Sequence, residues 1–211
     1  SEACDVPSTA TAGTKTATCR ATDAAGNTAE ATVQFTVQAP PPAPPTITVA
    51  ATAGGSPYVA GTWSRVPVSL TYTCTSGVVV SSCQAPRTIT ADTGPAGQTV
   101  TGTVTDALGR TAQTDILVKV DRTAPQLAPT ATPASVTIGG TVVLAANATD
   151  TGSGIASQSC DAPNTSTVGT KTATCRATDV AGNAATKTVA YTVTAPAPPQ
   201  CQGVADRTPL L

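Results

Sequence analysis

The chain has 211 residues, 40% of them hydrophobic but only 2% aromatic, with 11 Lys and Arg against 12 Asp and Glu, no His and no Met. A net charge of -1 without a basic patch argues against nucleic acid and anionic membrane surfaces as partners, and no run is long and apolar enough to cross a bilayer. With no His, no Gly-x-Ser-x-Gly elbow and no paired carboxylates, the sequence supplies no catalytic or cofactor-binding set, so the expectation is a non-enzyme without a cofactor.

The first periodic stretch is Gly13-Thr-Lys-Thr-Ala-Thr-Cys19-Arg-Ala-Thr-Asp23-Ala-Ala-Gly26-Asn27. Lys15, Ala17, Cys19 and Ala21 share one face and Thr14, Thr16, Thr18, Arg20 and Thr22 the other, which predicts a strand with one face buried. Gly26 stands where a type I turn with a bulge needs a positive φ, and Val33, Phe35 and Val37 resume the period of two, so the stretch predicts a hairpin. Residues 39–45, Ala-Pro-Pro-Pro-Ala-Pro-Pro, predict a stiff polyproline II spacer.

A second unit spans 46–121. Its clearest strand runs from Val66 to Cys74, with Pro67 marking an edge strand or a strand start. A looser copy of the hairpin follows, from Gln98 through Asp106-Ala-Leu-Gly109-Arg110 to Ile116, Val118 and Val120, with Gly102 where the first copy has Cys19. The junction Asp121-Arg-Thr-Ala-Pro125 is much shorter than the first spacer and predicts tighter coupling to the third unit, 122–194. That unit contains a predicted strand at 141–146, with Val142, Leu144 and Ala146 on one face. The hairpin then returns, from Gly169 through Cys175 and Asp179 to Gly182 and Asn183. Residues 195–211 form a Pro-rich linker and a tail without periodicity.

Residues 1–38 align without a gap to residues 157–194. Only the later copy is preceded by strands able to cover the hairpin, here within 124–156. The expectation is an all-β array of tandem antiparallel sandwiches whose first member is the C-terminal half of a domain, with an apolar face too thinly supported to be stable alone. The absence of a signal peptide predicts a mature, processed chain or a piece of a longer one.

The pattern Gly-Thr-x-Thr-Ala-Thr-Cys-x-Ala-Thr-Asp-x-Ala-Gly-Asn followed by an alternating strand resembles the hyalin-repeat and bacterial Ig-like domains of secreted and surface proteins. The Asp121-to-Pro125 junction and the stretches Gly61-Thr-Trp63 and Thr73-Cys74 are similar to them as well. The resemblance covers residues 1–194, except that Gly102 departs from the cysteine pattern. It implies antiparallel Ig-like β-sandwiches, as found in stalks, adhesins and enzyme appendages, and leaves function to the individual sites.

Cys4 with Cys19 and Cys160 with Cys175 have identical spacing, which predicts intradomain disulfides and an oxidising, extracellular compartment. Cys74 and Cys83 are expected to join the end of the Val66 strand to the next segment. Cys201 is left over, for an intermolecular bond, for a partner in sequence beyond these residues, or as a free thiol. Seven cysteines without His or Cys-x-x-Cys spacing do not suit zinc. Asp23, Asp106 and Asp179, and the loop at Asp150, each offer one carboxylate, and capping of turn amides is the preferred role over calcium, so no metal is expected. Tyr58 and Trp63 are read as core or junction anchors, with a carbohydrate platform as the competing role. The sequons at Asn147 and Asn164 are read as incidental.

The functional expectation is a non-catalytic extracellular structural module: a stalk, spacer or fibre-forming array. Its partners would be other copies of itself or the remainder of a longer parent chain. One alternative is a filament subunit assembled by intermolecular strand complementation of the half domain. The other is an adhesive appendage that binds a surface glycan or protein through Trp63 or its loops.

Overall fold

The structure, a computed structural model, describes residues 1–198, and the Cys201 reading lies outside them. Residues 1–38 form one antiparallel sheet in the order β1-β2-β3, from β1 (Glu2–Cys4), β2 (Gly13–Thr22) and β3 (Thr28–Val37). Cys4 sits opposite Cys19, and Cys19 opposite Ala31. At the corner Gly26 has φ +89°, the Gly26 amide donates to Asp23 O at 3.2 Å, and the Asp23 amide to Asn27 O at 3.0 Å. This is the glycine-dependent turn expected from the sequence. Among the described residues no second layer lies on this sheet, and Val33 remains 59% exposed.

Residues 46–121 contain β4 (Thr46–Ala53), β5 (Ser56–Pro57), β6 (Trp63–Ser64), β7 (Val68–Thr75), β8 (Val80–Cys83), β9 (Arg87–Ile89), β10 (Gln98–Asp106) and β11 (Thr111–Val120). They build two four-stranded sheets, β5-β4-β7-β9 and β6-β11-β10-β8. Val68, Leu70 and Ile89 of the first meet Val100, Ile116, Val118 and Val120 of the second in one buried cluster, as the alternation of both strand sets requires. Pro67 precedes β7, which lies between β4 and β9, so the proline marks a strand start within the sheet. A Cβ at Gly102 would stand 2.4 Å from the Tyr72 ring. Close approach of that ring is the physical reason this hairpin carries glycine where its two relatives carry cysteine.

The proline spacer is less independent than its composition suggests. Its second half is held against the central sandwich: the Arg110 guanidinium donates to Pro42 O at 2.8 Å and Ala43 O at 2.9 Å, and the Gly77 amide donates to Ala43 O at 3.0 Å. A Cβ on Gly77 would lie 2.4 Å from the Ala43 nitrogen, so the close contact needs glycine there.

Residues 122–194 contain β12 (Gln126–Leu127), β13 (Thr130–Thr132), β14 (Ser135–Thr137), β15 (Val143–Ala145), β16 (Ala148–Thr149), β17 (Ile155–Cys160), β18 (Gly169–Asp179) and β19 (Ala184–Thr194). One sheet has the order β14-β19-β18-β17, with β14 parallel to β19. The pairs β12-β16 and β13-β15 lie across it. They bury Leu127 and Ala146 against Cys175 and Ala177, and Val142 against Ala173, Tyr191 and Val193. The strand expected at 141–146 is shorter, Val143–Ala145, but Val142, Leu144 and Ala146 do face inward.

Two substitutions check the packing of the central sandwich. Gly102→Ala forces its methyl into the Tyr72 ring and should cost about 1–3 kcal/mol in urea denaturation. The Tyr72 hydroxyl is buried without a hydrogen-bond partner, so Tyr72→Phe should leave stability unchanged or raise it by about 1 kcal/mol in the same assay.

Candidate functional site

The three hairpin corners use one device. At each, an Asp carboxylate accepts from the amide four residues on: Asn27 to Asp23 at 2.8 Å, Arg110 to Asp106 at 3.0 Å, Asn183 to Asp179 at 2.8 Å. The same partner's side chain then takes the other oxygen, through Asn27 Nδ2 at 2.8 Å, Arg110 Nε at 2.8 Å and Asn183 Nδ2 at 2.8 Å. The Asn27 bonds hold the Asp23 carboxyl below its ordinary range. Burial alone would raise Asp106, but the amide and guanidinium of Arg110 and the Leu108 amide outweigh it and hold that carboxyl below its ordinary range. Asp23, Asp106 and Asp179 stay at separate corners and do not assemble into one site.

Asp179 does meet two other carboxylates. Asp121, from the short junction, and Asp150, from the loop before β17, bring oxygens to within 4.8 Å of one another and of Asp179. Asp121 and Asp179 are buried, and Asp150 is half-buried. Buried like charges are costly unless matched by donors. Here Asp121 accepts from the Thr123 amide at 3.1 Å and the Ser153 amide at 2.7 Å, and Asp150 from the amides of Gly152 at 3.1 Å and Gly154 at 2.7 Å. Gly152 is obligatory, since a Cβ there would lie 2.5 Å from the Asp121 carboxylate. Three carboxylates so placed are a donor set of the kind hard divalent cations take. Each is already engaged by amides, so turn capping accounts for the cluster and no ion is assigned to it.

The cluster's demonstrable effect is mechanical. Asn183 Nδ2 donates to Asp121 O at 2.9 Å and to Thr123 O at 3.4 Å, the Ala181 amide donates to Ser153 Oγ at 3.1 Å, and Arg65 of the central sandwich donates to Gly182 O at 3.2 Å. The junction segment is therefore tied to the corner of the last hairpin. No sequence motif joins these residues, because they come from three separate stretches. The shortness of the 121–125 junction is the signal that hinted at it.

Cys4–Cys19 and Cys160–Cys175 are disulfides between directly paired strands, with Cα–Cα distances of 3.9 Å. Cys74–Cys83 differs: it links β7 of one sheet to β8 of the other, at 5.9 Å. Trp63 is half-buried, with Lys119 Nζ 5.3 Å above its ring. The Tyr58 hydroxyl is spent on Thr62 O at 2.6 Å and the Lys119 amide at 2.9 Å. Asn147 Nδ2 donates to Ala128 O and Thr130 Oγ1, both at 3.1 Å, while Asn164 caps its own loop by accepting from the Ser166 amide at 3.0 Å. A scan of the chain against protein-family models gave no match, and no curated protein matches it either.

Asp121→Ala leaves the Ser153 and Thr123 amides without their acceptor and should destabilise the C-terminal sandwich by about 1–3 kcal/mol in thermal or urea unfolding. For Asp106 the sign follows from linkage. The folded group binds its proton less readily than the unfolded one, so its contribution is complete above the ordinary value and is lost as pH falls through the lower folded one. Acid titration from about pH 5 to 2, followed by circular dichroism, should show this limb flattened in Arg110→Met, which keeps the stem but not the guanidinium.

Proposed function

We propose that the chain is a non-catalytic extracellular structural module, a spacer or display element assembled from Ig-like sandwiches of the hyalin-repeat and bacterial Ig-like kind. One observation carries this reading. The two most deeply buried polar residues, Asp121 and Asp179, are committed with their half-buried partner Asn183 to a joint between two sandwiches, through hydrogen bonds that leave no carboxylate oxygen of Asp121 or Asp179 free of a donor. A chain that places its buried charge at a joint holds two bodies in line, which suits length and display.

Three intramolecular disulfides support an extracellular location, because such bonds persist in oxidising compartments. The outer faces of the long hairpins carry Thr14, Thr16 and Thr18 in one copy and Thr170, Thr172 and Thr174 in the other, a neutral hydrogen-bonding surface suited to water. Partners are expected at loop tips or as neighbouring modules. An aromatic glycan platform has weaker support, since the Tyr58 hydroxyl is occupied and Lys119 lies over Trp63.

Nitrogen-15 relaxation tests the joint. Residues 46–194 should tumble with one rotational correlation time, and Asn183→Ala, which removes the donors to Asp121 O and Thr123 O, should give two independently tumbling sandwiches. Two separate correlation times in the unaltered chain would overturn the spacer reading.

A further inference from the structure

The hairpins of 1–38 and 157–194 share one register. Ala17 faces Val33 and Lys15 faces Phe35 in the first, while Ala173 faces Val189 and Lys171 faces Tyr191 in the second. On the shared face Ala17, Cys19, Ala21, Ala29, Val33 and Val37 recur unchanged, while Phe35 stands in place of Tyr191 and Ala31 in place of Lys187. Their surroundings differ on one side. In the C-terminal sandwich, Leu127, Val136, Val142, Leu144 and Ala146 pack on that face, so Cys175, Ala177, Tyr191 and Val193 are buried. Ala17 is buried like Ala173, but Ala21 is exposed where Ala177 is buried, Val33 is exposed where Val189 is half-buried, and Cys19, Phe35 and Val37 are only half-buried.

Two further differences point to the same missing layer. The outer edge of β19 pairs in parallel with β14, from Ser135 opposite Thr192 to Thr137 opposite Thr194, whereas β3 has β2 as its only neighbour among the described residues. Asn183 bonds Asp179 and reaches on to Asp121 O and Thr123 O, while the Asn27 side chain donates to Asp23 alone. The apolar face, the strand edge and the corner amide are thus all presented for contacts that the second copy makes.

We propose that the apolar face and outer edge of residues 1–38 are a docking surface for an extended polypeptide segment patterned on residues 121–149. The segment brings a Asp-x-Thr-Ala-Pro entry to Asn27, a short strand parallel to β3 at Thr36–Gln38, and alternating aliphatic side chains over Ala17, Cys19 and Phe35. The internal copy specifies the occupant's chemistry, because it shows the same face covered. A second molecule of this chain cannot lend its own residues 121–149 without baring its C-terminal sandwich. Residues 199–211 do not match the pattern: Val204, Leu210 and Leu211 are their only large aliphatic residues and do not alternate. The inference does not depend on the stiffness of the joint between the sandwiches, so the relaxation experiment can fail without touching it.

The test mixes the full chain with a synthetic peptide of residues 121–149 and follows hydrogen exchange by mass spectrometry together with mass by light scattering. The amides of residues 29–38 should exchange about tenfold more slowly, saturably and with one peptide per chain, while residues 184–194 serve as the internal reference. Val33→Asp, at a position exposed in the fold, should abolish the protection. A peptide carrying Val142→Asp and Leu144→Asp should give none. Unchanged exchange at 29–38 up to the peptide's solubility limit, or equal protection by the Asp-bearing peptide, overturns the proposal. Concentration-dependent protection of the chain alone, with a doubled mass, also overturns it and assigns the face to a second copy.

Discussion

A two-stranded antiparallel ladder with one apolar face is the element on which the whole chain depends, and such a ladder is stable only when something lies across it. Among the described residues three such ladders are hairpins of one pattern: β2–β3, β10–β11 and β18–β19. All turn at a corner closed by an Asp carboxylate and a glycine of positive φ, Gly26, Gly109 and Gly182. What differs is the opposing layer. In the centre it is a full sheet carrying Val68, Leu70 and Ile89, in the C-terminal sandwich a patchwork of two- and three-residue strands, and at the N-terminal sheet none among the described residues.

The corner aspartate is put to a different second use in each case. Asp106 works through Arg110, whose guanidinium also fastens Pro42 and Ala43, so the corner anchors the incoming chain. Asp179 works through Asn183, whose amide reaches the Asp121 carbonyl, so the corner anchors the preceding sandwich. The side chains of Asp23 and Asn27 bond only within their own turn among the described residues. One local turn motif therefore acts as a joint wherever a neighbouring backbone passes within reach, and it remains a simple cap where none does. The Arg or Asn at the fourth position sets the reach, since a guanidinium spans farther and offers more donors than an amide.

Much of this was legible in the sequence, because alternation and turn chemistry are local. Ala17, Cys19, Val33 and Phe35 announce a face with period two, and Gly26 and Gly182 announce its corner. The strand ending at Cys74 showed itself by the same period. Other features depend on meetings that no local pattern records. The carboxylates of Asp121, Asp150 and Asp179 converge from three loops, and Arg110 finds the carbonyls of Pro42 and Ala43 far away in sequence. The spacer composition suggested a stiff polyproline II rod and nothing of what it rests against. Strands of two residues, such as β6 and β12, are too short to show any period, and the parallel pairings of β6 with β11 and β14 with β19 are set by tertiary packing alone.

The disulfides divide along the same line. Cys74–Cys83 crosses between two sheets and so fixes the sandwich itself, while Cys4–Cys19 and Cys160–Cys175 each join neighbouring strands of one sheet. Bridges with a sequence separation of 15 restrict the unfolded chain by about 3 kcal/mol on the loop-entropy account. Burial of a single valine or phenylalanine side chain contributes on the order of 1.5–3 kcal/mol. In the C-terminal sandwich the two effects add, because Cys175 is itself part of the covered face beside Leu127 and Ala146. In the N-terminal sheet only the first operates: the bridge keeps β1 on β2, but Val33, Phe35 and Val37 gain little from it. Its staple lies in the plane of the sheet, whereas the apolar contacts it lacks lie above that plane, and no in-plane bond can replace them.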